Sequence, residues 1–337
     1  MENNLITITN NMIVEVLLLL LIGVLAWLLA DKMKKPYTIF LVIFGLLIGL
    51  FNLPYLNRIA DVFSNHQLFS VIVLSLFLPS LLGEASMKFE FHEIKKYKME
   101  ITRLALLGTL LTFIIIAIIL TYICHLPLVV SFTIASLMSA TDPISVMGIF
   151  KVMKVKKSIA VSLEGESLFN DGIAVVLFKI STVFLLSYLN MGWLGVGESV
   201  ILFIKIVLIG AVVGLILGFV ASYLISLVDD YPLETMVSFL LFYGSYLLAE
   251  HFHGSGVIAV VIAGIVFGNY GEKIGMKEET KGYIYSFWDV ISFVGNTILF
   301  LLIGLEVYRL NVFTHWKLTL LTILITLFAR TIAVSIS

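Results

Sequence analysis

Long apolar stretches separated by short polar segments run along the whole chain. A helix needs about 20 predominantly apolar residues to cross a hydrocarbon core that is ~30 Å thick. On this criterion the pattern predicts about eleven membrane-spanning helices, of which the ninth is short. Their approximate ranges are 12–30, 37–53, 68–85, 101–123, 129–149, 158–189, 200–228, 233–249, 257–270, 287–308 and 318–337. The sequence therefore predicts an all-α, polytopic membrane protein in which residues 1–337 form a single membrane domain.

The composition supports this class. Hydrophobic residues make up 60% of the chain and charged residues 13%, whereas soluble domains average about 45–50% and about 25%. Lipid accepts that much apolar surface because it needs no cover in hydrocarbon. The net charge of −1 offers no basic surface for nucleic acid. The single cysteine, Cys124, excludes an internal disulfide.

Lysine and arginine are unevenly distributed between the predicted loops. With the N-terminus outside, the odd-numbered loops are cytoplasmic and contain fourteen of the 21 Lys and Arg residues, against three in the outer loops. Such an excess is typical of cytoplasmic loops. It predicts an outside N-terminus and supports the number of spans. The loop at Asp229 and Asp230 is the exception, because it is cytoplasmic but acidic.

A proline follows an acidic residue in the middle of the fifth span, in the run Ser139-Ala140-Thr141-Asp142-Pro143. Pro143 lacks an N–H group and its ring clashes with the carbonyl of Ser139, so the helix should kink or break. An acid would then lie beside freed backbone carbonyls at mid-membrane, which is how several transporters build cation sites. The simpler alternative is a proline kink with Asp142 facing a buried partner.

Three acids lie within eight residues of the sixth span, in the run 164–172. Residues four apart share a face of a helix, so Ser167 aligns with Asp171, and Glu166 with Asn170. The first face offers a hydroxyl and a carboxylate, which suit a hard cation. The second offers a carboxylate and an amide, which suit a cationic side chain. Buried ionisable groups of this kind usually mark an ion or proton path.

Other ionisable residues lie in or near the spans. Arg330, in the last span, requires a carboxylate because it does not lose its proton; Glu166 is the preferred partner and Glu306 the rival. Glu84 closes the third span, where it either reaches a cavity or extends to the cytoplasmic surface. The remaining residues are more typical of pairing or interfacial positions than of transport: Lys179, Lys205, His251 and His253.

Two other functional classes fit the sequence less well. A cation channel usually has pore-lining rings or filter loops, and no such filter sequence is present. A membrane enzyme would need a nucleophilic set or a metal cluster, and no span offers a Ser–His–Asp set or a zinc-type cluster of His and Cys. Ion transport therefore remains the favoured class.

Four motifs together resemble the cation:proton antiporter-1 family of Na⁺/H⁺ exchangers. They are Thr141-Asp142-Pro143, the ESLFND run at 166–171, FVGNTILFLLIGLEV at 293–307 and Phe328-Ala329-Arg330. The triplet alone is a weak signal, but the ESLFND run one helix later is specific, and the resemblance extends over the whole chain. It implies thirteen helices in inverted repeats with a broken helix at the triplet, a homodimer, and a six-helix core that moves against a dimerisation domain.

The resemblance also implies roles for the ion-site residues. Asp171 would alternately hold a proton or Na⁺. Ser167 and the backbone at Thr141 would be Na⁺ ligands, and Asp142 would contribute through water. Glu84 matches an acid near the ion site of archaeal relatives.

Three further residues match structural or subgroup features of the family. Glu166 and Arg330 match a structural ion pair in the core. Asn170 marks the subgroup associated with electroneutral one-for-one exchange.

The expected function is that of a secondary monovalent cation:proton antiporter, electroneutral for Na⁺ and H⁺, serving pH and Na⁺ homeostasis at the cell membrane. No cofactor and no enzymatic activity are expected; the cargo is Na⁺, or Li⁺ or K⁺, together with H⁺. A K⁺(Na⁺)/H⁺ antiporter is the alternative. The family continues beyond the Arg330 helix with a crossing segment and a final helix, whereas this sequence stops at Ser337. The resemblance therefore adds two alternatives. The sequence is either a piece of a longer antiporter or a truncated chain that does not transport.

Overall fold

A computed structural model of the chain describes residues 2–51, 71–141, 155–309, 314 and 316–337, with side chains from residue 13 onward except at residue 278. Regular structure in these ranges is helical. The main helices are α1 (Glu2–Met33), α2 (Tyr37–Phe51), α3 (Leu78–Lys88), α4 (Lys98–Tyr122), α5 (Leu128–Ser139), α6 (Lys157–Leu189), α7 (Trp193–Ser226), α8 (Tyr231–His251), α9 (Gly256–Ile274), α10 (Glu278–Arg309) and α11 (Trp316–Ile336).

The helices agree with the predicted spans. In the described ranges, eight are long and apolar enough to cross a membrane, and α2 and α5 are apolar but shorter. A π-helical turn at Val73–Phe77 precedes α3. Each predicted span therefore coincides with a helix, and the all-α polytopic class is confirmed.

α5 ends at Ser139, because Ala140 turns to an extended conformation with ψ 150°, and residues 142–149 of the fifth predicted span lie outside the described residues. Three predicted helix starts are wrong by more than a turn. α1 begins at Glu2 rather than near residue 12. α7 begins at Trp193 rather than near residue 200, because Glu198 interrupts the apolar pattern without interrupting the helix. α10 begins at Glu278 rather than near residue 287. Its first turns are polar, and helical hydrogen bonding does not require apolar side chains.

The described chain divides into two compact units. The first contains residues 1–81 and 288–317, and the second contains residues 82–287 and 318–337. In the first unit, α2 packs directly on α10. A Cβ added to Gly45 would collide with the carbonyl oxygen of Leu301, and one added to Gly304 would collide with that of Val42. These reciprocal glycines allow the two backbones to approach closely.

Close backbone contact also organises the second unit, which carries all the described candidate site residues. A Cβ on Gly210 would lie 2.5 Å from the carbonyl oxygen of Ser255, and one on Gly214 would collide with that of Ala259. α7 and α9 therefore pack with almost no side chain between them, and the four-residue spacing of these glycines is typical of such close approach. A separate apolar core joins α4, α5, α6 and α11 through Ile116, Ala135 and other buried residues.

Candidate ion site

The end of α5 lies beside the polar segment of α6. Ser136 and Ser139 donate to backbone carbonyls one turn earlier, at 2.7 and 2.8 Å, so the hydroxyls of both side chains are used within α5. Ala140 is extended, and Thr141 is half-buried. The helix thus stops four residues before Pro143. Asp142 and Pro143 themselves lie outside the described residues.

Two glycines let the polar segment of α6 pack tightly. A Cβ on Gly165 would lie 2.8 Å from Ile101 and Phe89, and one on Gly172 would lie 2.6 Å from Ile258. Between these contacts, Glu166, Ser167 and Asn170 are almost fully buried, with Asn170 at 0% exposure. Polar side chains at this depth must form hydrogen bonds or bind an ion, since burial without a partner is costly.

Two of these side chains hold Thr141. The hydroxyl of Ser167 donates to the Thr141 carbonyl oxygen. The amide of Asn170 donates to the Thr141 hydroxyl at 2.8 Å and to Glu166 Oε1 at 3.3 Å. The segment after α5 is therefore fixed to α6 through both its backbone and its side chain.

Asp171 follows directly on this polar turn. Its side chain is half-buried, and α6 is continuously helical through it. Ser167 lies one turn earlier on the same face, as the four-residue spacing predicts. The structure therefore places a carboxylate, a hydroxyl and the Thr141 backbone in the same part of the second unit. Oxygen atoms of these types are the ligands that hard cations prefer.

Arg330 forms an ion pair with Glu166. Its Nη2 atom donates to Glu166 Oε1, and Glu166 is only 1% exposed. Gly108 of α4 lies beside the guanidinium, since a Cβ there would lie 3.7 Å from Arg330 Nη1, an ordinary van der Waals distance. Glu306, the rival partner, lies 3.9 Å from Arg309 instead. The pair attaches α11 to the buried face of α6.

Three atoms of this cluster have no hydrogen-bond partner within the described part of the chain. They are Glu166 Oε2, Asn170 Oδ1 and Arg330 Nη1. Two are acceptors and one is a donor, so the cluster can still bond to water or to further polar groups at the same place. The cluster therefore has more hydrogen-bonding atoms than these three side chains satisfy among themselves.

Glu84 pairs with Lys88, one turn further along α3, at 2.5 Å. Its side chain is 19% exposed and that of Lys88 is 38% exposed. The two alternatives for Glu84 were a cavity or the surface, and the structure gives it a cationic neighbour. Lys88 was not predicted as the partner of Glu84, although the four-residue spacing of the two charges is a sufficient signal.

Lys179 also has an acidic partner on another helix. Its ammonium contacts Glu250 of α8 at 2.6 and 2.7 Å. Glu250 also accepts from the backbone N–H of Gly256, at the start of α9, at 3.1 Å. Glu250 was not predicted as the partner of Lys179, because the sequence pattern does not show which way its side chain points. Lys205, His251 and His253 are exposed.

Comparison with known proteins gives concordant matches. Residues 16–337 match the model of the transmembrane sodium/hydrogen exchanger family. The chain is 48% identical over 327 residues to the Na⁺/H⁺ antiporter NhaH of Halobacillus aidingensis, covering 97% of this chain and 81% of that protein. It is 45% identical to the antiporter NhaG of Bacillus atrophaeus, covering 92% of this chain and 59% of NhaG.

A solved structure has the same fold. The sodium proton antiporter MjNhaP1 of Methanocaldococcus jannaschii superimposes with a TM-score of 0.77 at 24% identity. The match covers 96% of this chain and 78% of that one.

Proposed function

We propose that this chain, which belongs to the sodium/hydrogen exchanger family, exchanges Na⁺ for H⁺ across a membrane with Asp171 as the exchanging group. One observation carries the choice of site. Ser167 and Asn170 hold Thr141 against the turn of α6 that also carries Asp171. Oxygen ligands from α6 and from the segment after α5, together with a titratable carboxylate, are thereby available in one part of the fold.

Competition at one carboxylate accounts for the exchange. Asp171 binds either a proton or Na⁺, so each ion displaces the other. Na⁺ would be held by the Asp171 carboxylate, the Ser167 hydroxyl and the Thr141 carbonyl, with Asp142 contributing through water and Glu84 nearby. The Ser167 hydroxyl that now donates to Thr141 can rotate to present its lone pairs to a cation.

The Glu166–Arg330 pair and Asn170 would be structural. Arg330 stays charged, so it neutralises Glu166 whichever ion is bound at Asp171. Asn170 contributes no charge, whereas an acid at its position would. The charge of the core then stays constant when one Na⁺ replaces one proton, which supports electroneutral, one-for-one exchange.

The wider setting is part of the same proposal. The chain would act as one transport domain in the cell membrane, with its N-terminus outside, and it would assemble as a homodimer. It would be a transporter rather than an enzyme and would need no cofactor. Its physiological role would be pH and Na⁺ homeostasis.

Exchange in sealed vesicles tests this function. The chain is reconstituted, and proton movement is measured after Na⁺, Li⁺ or K⁺ is added, with and without a membrane potential. Na⁺ should drive proton movement at a rate that the potential does not change. Exchange with K⁺ alone would support the potassium alternative, and a rate that follows the potential would contradict the one-for-one stoichiometry. A current without counter-transport would indicate a channel.

A further inference from the structure

A cavity with several charged residues in its walls lies within the second unit. The residues that form it are not those of the proposed ion site. It has a volume of about 570 Å³, which is within the range of small-molecule sites. Its walls are the end of α3 with the short helix Phe91–Lys96 that follows it, the end of α9 and the start of α10. All of these segments belong to the predicted cytoplasmic side.

The charged residues that line this cavity are mainly basic. Two lining residues are acidic, Glu90 and Glu272. Five are basic: Lys88, His92, Lys95, Lys273 and Lys281. Lys281 neutralises Glu272 at 2.5 Å. Lys95 and Lys273 are exposed and form no ion pair within the described residues. The cavity therefore retains an excess of ammonium groups.

Hydrogen bonds between the walls fix the shape of the cavity. Asn269 of α9 accepts from the Phe91 N–H at 2.6 Å and donates to the Phe89 carbonyl at 3.0 Å. The Tyr285 hydroxyl of α10 donates to the Met87 carbonyl at 3.3 Å. The turn between α3 and the short helix is thus attached to both other walls. A preformed site loses less entropy on binding than a flexible one.

We propose that this cavity binds a phosphate group, with lysine ammoniums as its ligands. Lysine binds phosphate as a point charge, and basic pockets on the cytoplasmic side of membrane proteins accept anionic lipid headgroups. Phe89 and Phe91 add apolar surface beside the lysines, and Phe91 is exposed. An anionic phospholipid or free phosphate could supply the same group.

Lys88 connects this cavity to the proposed ion site. Lys88 lines the cavity, and its ammonium pairs with Glu84. A phosphate in the cavity would compete with Glu84 for Lys88 and leave the Glu84 carboxylate more available to Na⁺. This second step rests on the proposed function, whereas the phosphate site does not.

Direct binding to the purified full chain tests the site. Native mass spectrometry measures binding of phosphatidylglycerol, with phosphatidylcholine as the zwitterionic reference and inorganic phosphate as the competitor. The double variant Lys95→Gln/Lys273→Gln should bind phosphatidylglycerol about tenfold more weakly. The control Lys32→Gln/Lys35→Gln, which removes two charges from another predicted cytoplasmic loop, should bind like the wild type.

The possible results distinguish a lipid headgroup from free phosphate, and they distinguish phosphate binding from its effect on exchange. Displacement of the lipid by inorganic phosphate would assign the site to free phosphate, and no displacement would assign it to the lipid. Equal binding by wild type and the cavity variant, or an equal loss in the control, would overturn the proposal. In vesicles, phosphatidylglycerol should lower the Na⁺ concentration for half-maximal exchange in wild type but not in Lys88→Gln. Intact binding without this effect would refute the coupling alone, and binding remains measurable even if no exchange is detected.

Discussion

Thr141 is held in place at the proposed site through two different atoms. Its carbonyl oxygen accepts from Ser167 and its hydroxyl accepts from Asn170. The backbone and side chain of one residue are therefore positioned by the same turn of α6 that carries Asp171. Small rotations of that turn would move the hydroxyl, the carbonyl and the carboxylate together.

Replacing Ser167 tests this arrangement at one residue. Ser167→Ala removes a hydroxyl ligand and the bond to the Thr141 carbonyl. We expect the Na⁺ concentration for half-maximal exchange to rise about tenfold, which corresponds to about 1.4 kcal/mol, while the protein stays folded. Ser162→Ala, at another buried serine of α6, is the control and should leave exchange unchanged. Equal behaviour of the two variants would exclude Ser167 as a ligand.

Replacing Glu166 separates a structural role from ion binding. Glu166→Ala leaves Arg330 without the carboxylate that it contacts. Removing one partner of a buried pair typically costs about 3–5 kcal/mol, so thermal unfolding in detergent should occur at a clearly lower temperature. The Na⁺ affinity of the folded fraction should change little. A variant that is as stable as wild type but has lost Na⁺ affinity would make Glu166 an ion ligand.

At the scale of elements, the site depends on close helix packing. α6 packs through Gly165 and Gly172, and α7 packs on α9 through Gly210 and Gly214. The four-residue spacing of the glycines in α7 is typical of such close approach, but it does not identify α9 as the partner. A sequence pattern defines the face of a helix, and only the assembled fold determines what covers that face.

Comparing the stability of alanine variants at two glycines tests this packing. Gly214→Ala would drive a methyl group into the Ala259 carbonyl, whereas a Cβ on Gly244 of α8 meets open space. We expect Gly214→Ala to destabilise the protein by about 1–3 kcal/mol. Gly244→Ala should be neutral or slightly stabilising, because alanine favours helix. Thermal unfolding of both variants checks this, and equal stabilities would contradict the packing.

Lys179 and Glu250 join α6 to α8 and, through the Gly256 N–H, to the start of α9. About a third of each side chain is exposed, so the pair should contribute moderately. A double-mutant cycle with Lys179→Met and Glu250→Gln should give a coupling energy of about 1 kcal/mol in thermal unfolding. Additive effects of the two substitutions would show that the contact does not stabilise the fold.

At the scale of the whole molecule, the length of the apolar stretches predicted the helices, and the sequence motifs predicted the family. Both are confirmed, the latter by the family match over residues 16–337. The face shared by Ser167 and Asp171, and a carboxylate for Arg330, also followed from helix geometry and burial. Glu250 as the partner of Lys179 did not, because the direction of a charged side chain near a membrane surface depends on neighbours that are distant in sequence. The pair of Glu84 and Lys88 could have been predicted from its four-residue spacing.

Orientation is a prediction for the whole chain. In a Cys124→Ser background, a cysteine at Lys34 should react with an impermeant thiol reagent only from the cytoplasmic side. A cysteine at His125 should react only from outside. Both positions are exposed and lie between helices. Labelling of both from the same side would contradict the predicted number of spans between them, and the reverse pattern would place the N-terminus inside.

The central claim is that H⁺ and Na⁺ compete for Asp171, and proton release on Na⁺ binding measures this most directly. Na⁺ is added to purified protein in weakly buffered solution, at a pH where the site is protonated, and the released protons are counted. Wild type and the control Asp289→Asn, which changes an exposed acid of α10, should release close to one proton per Na⁺ bound, since linkage between the two ions is reciprocal. Folded Asp171→Asn should release none. Undiminished proton release from Asp171→Asn would contradict the account.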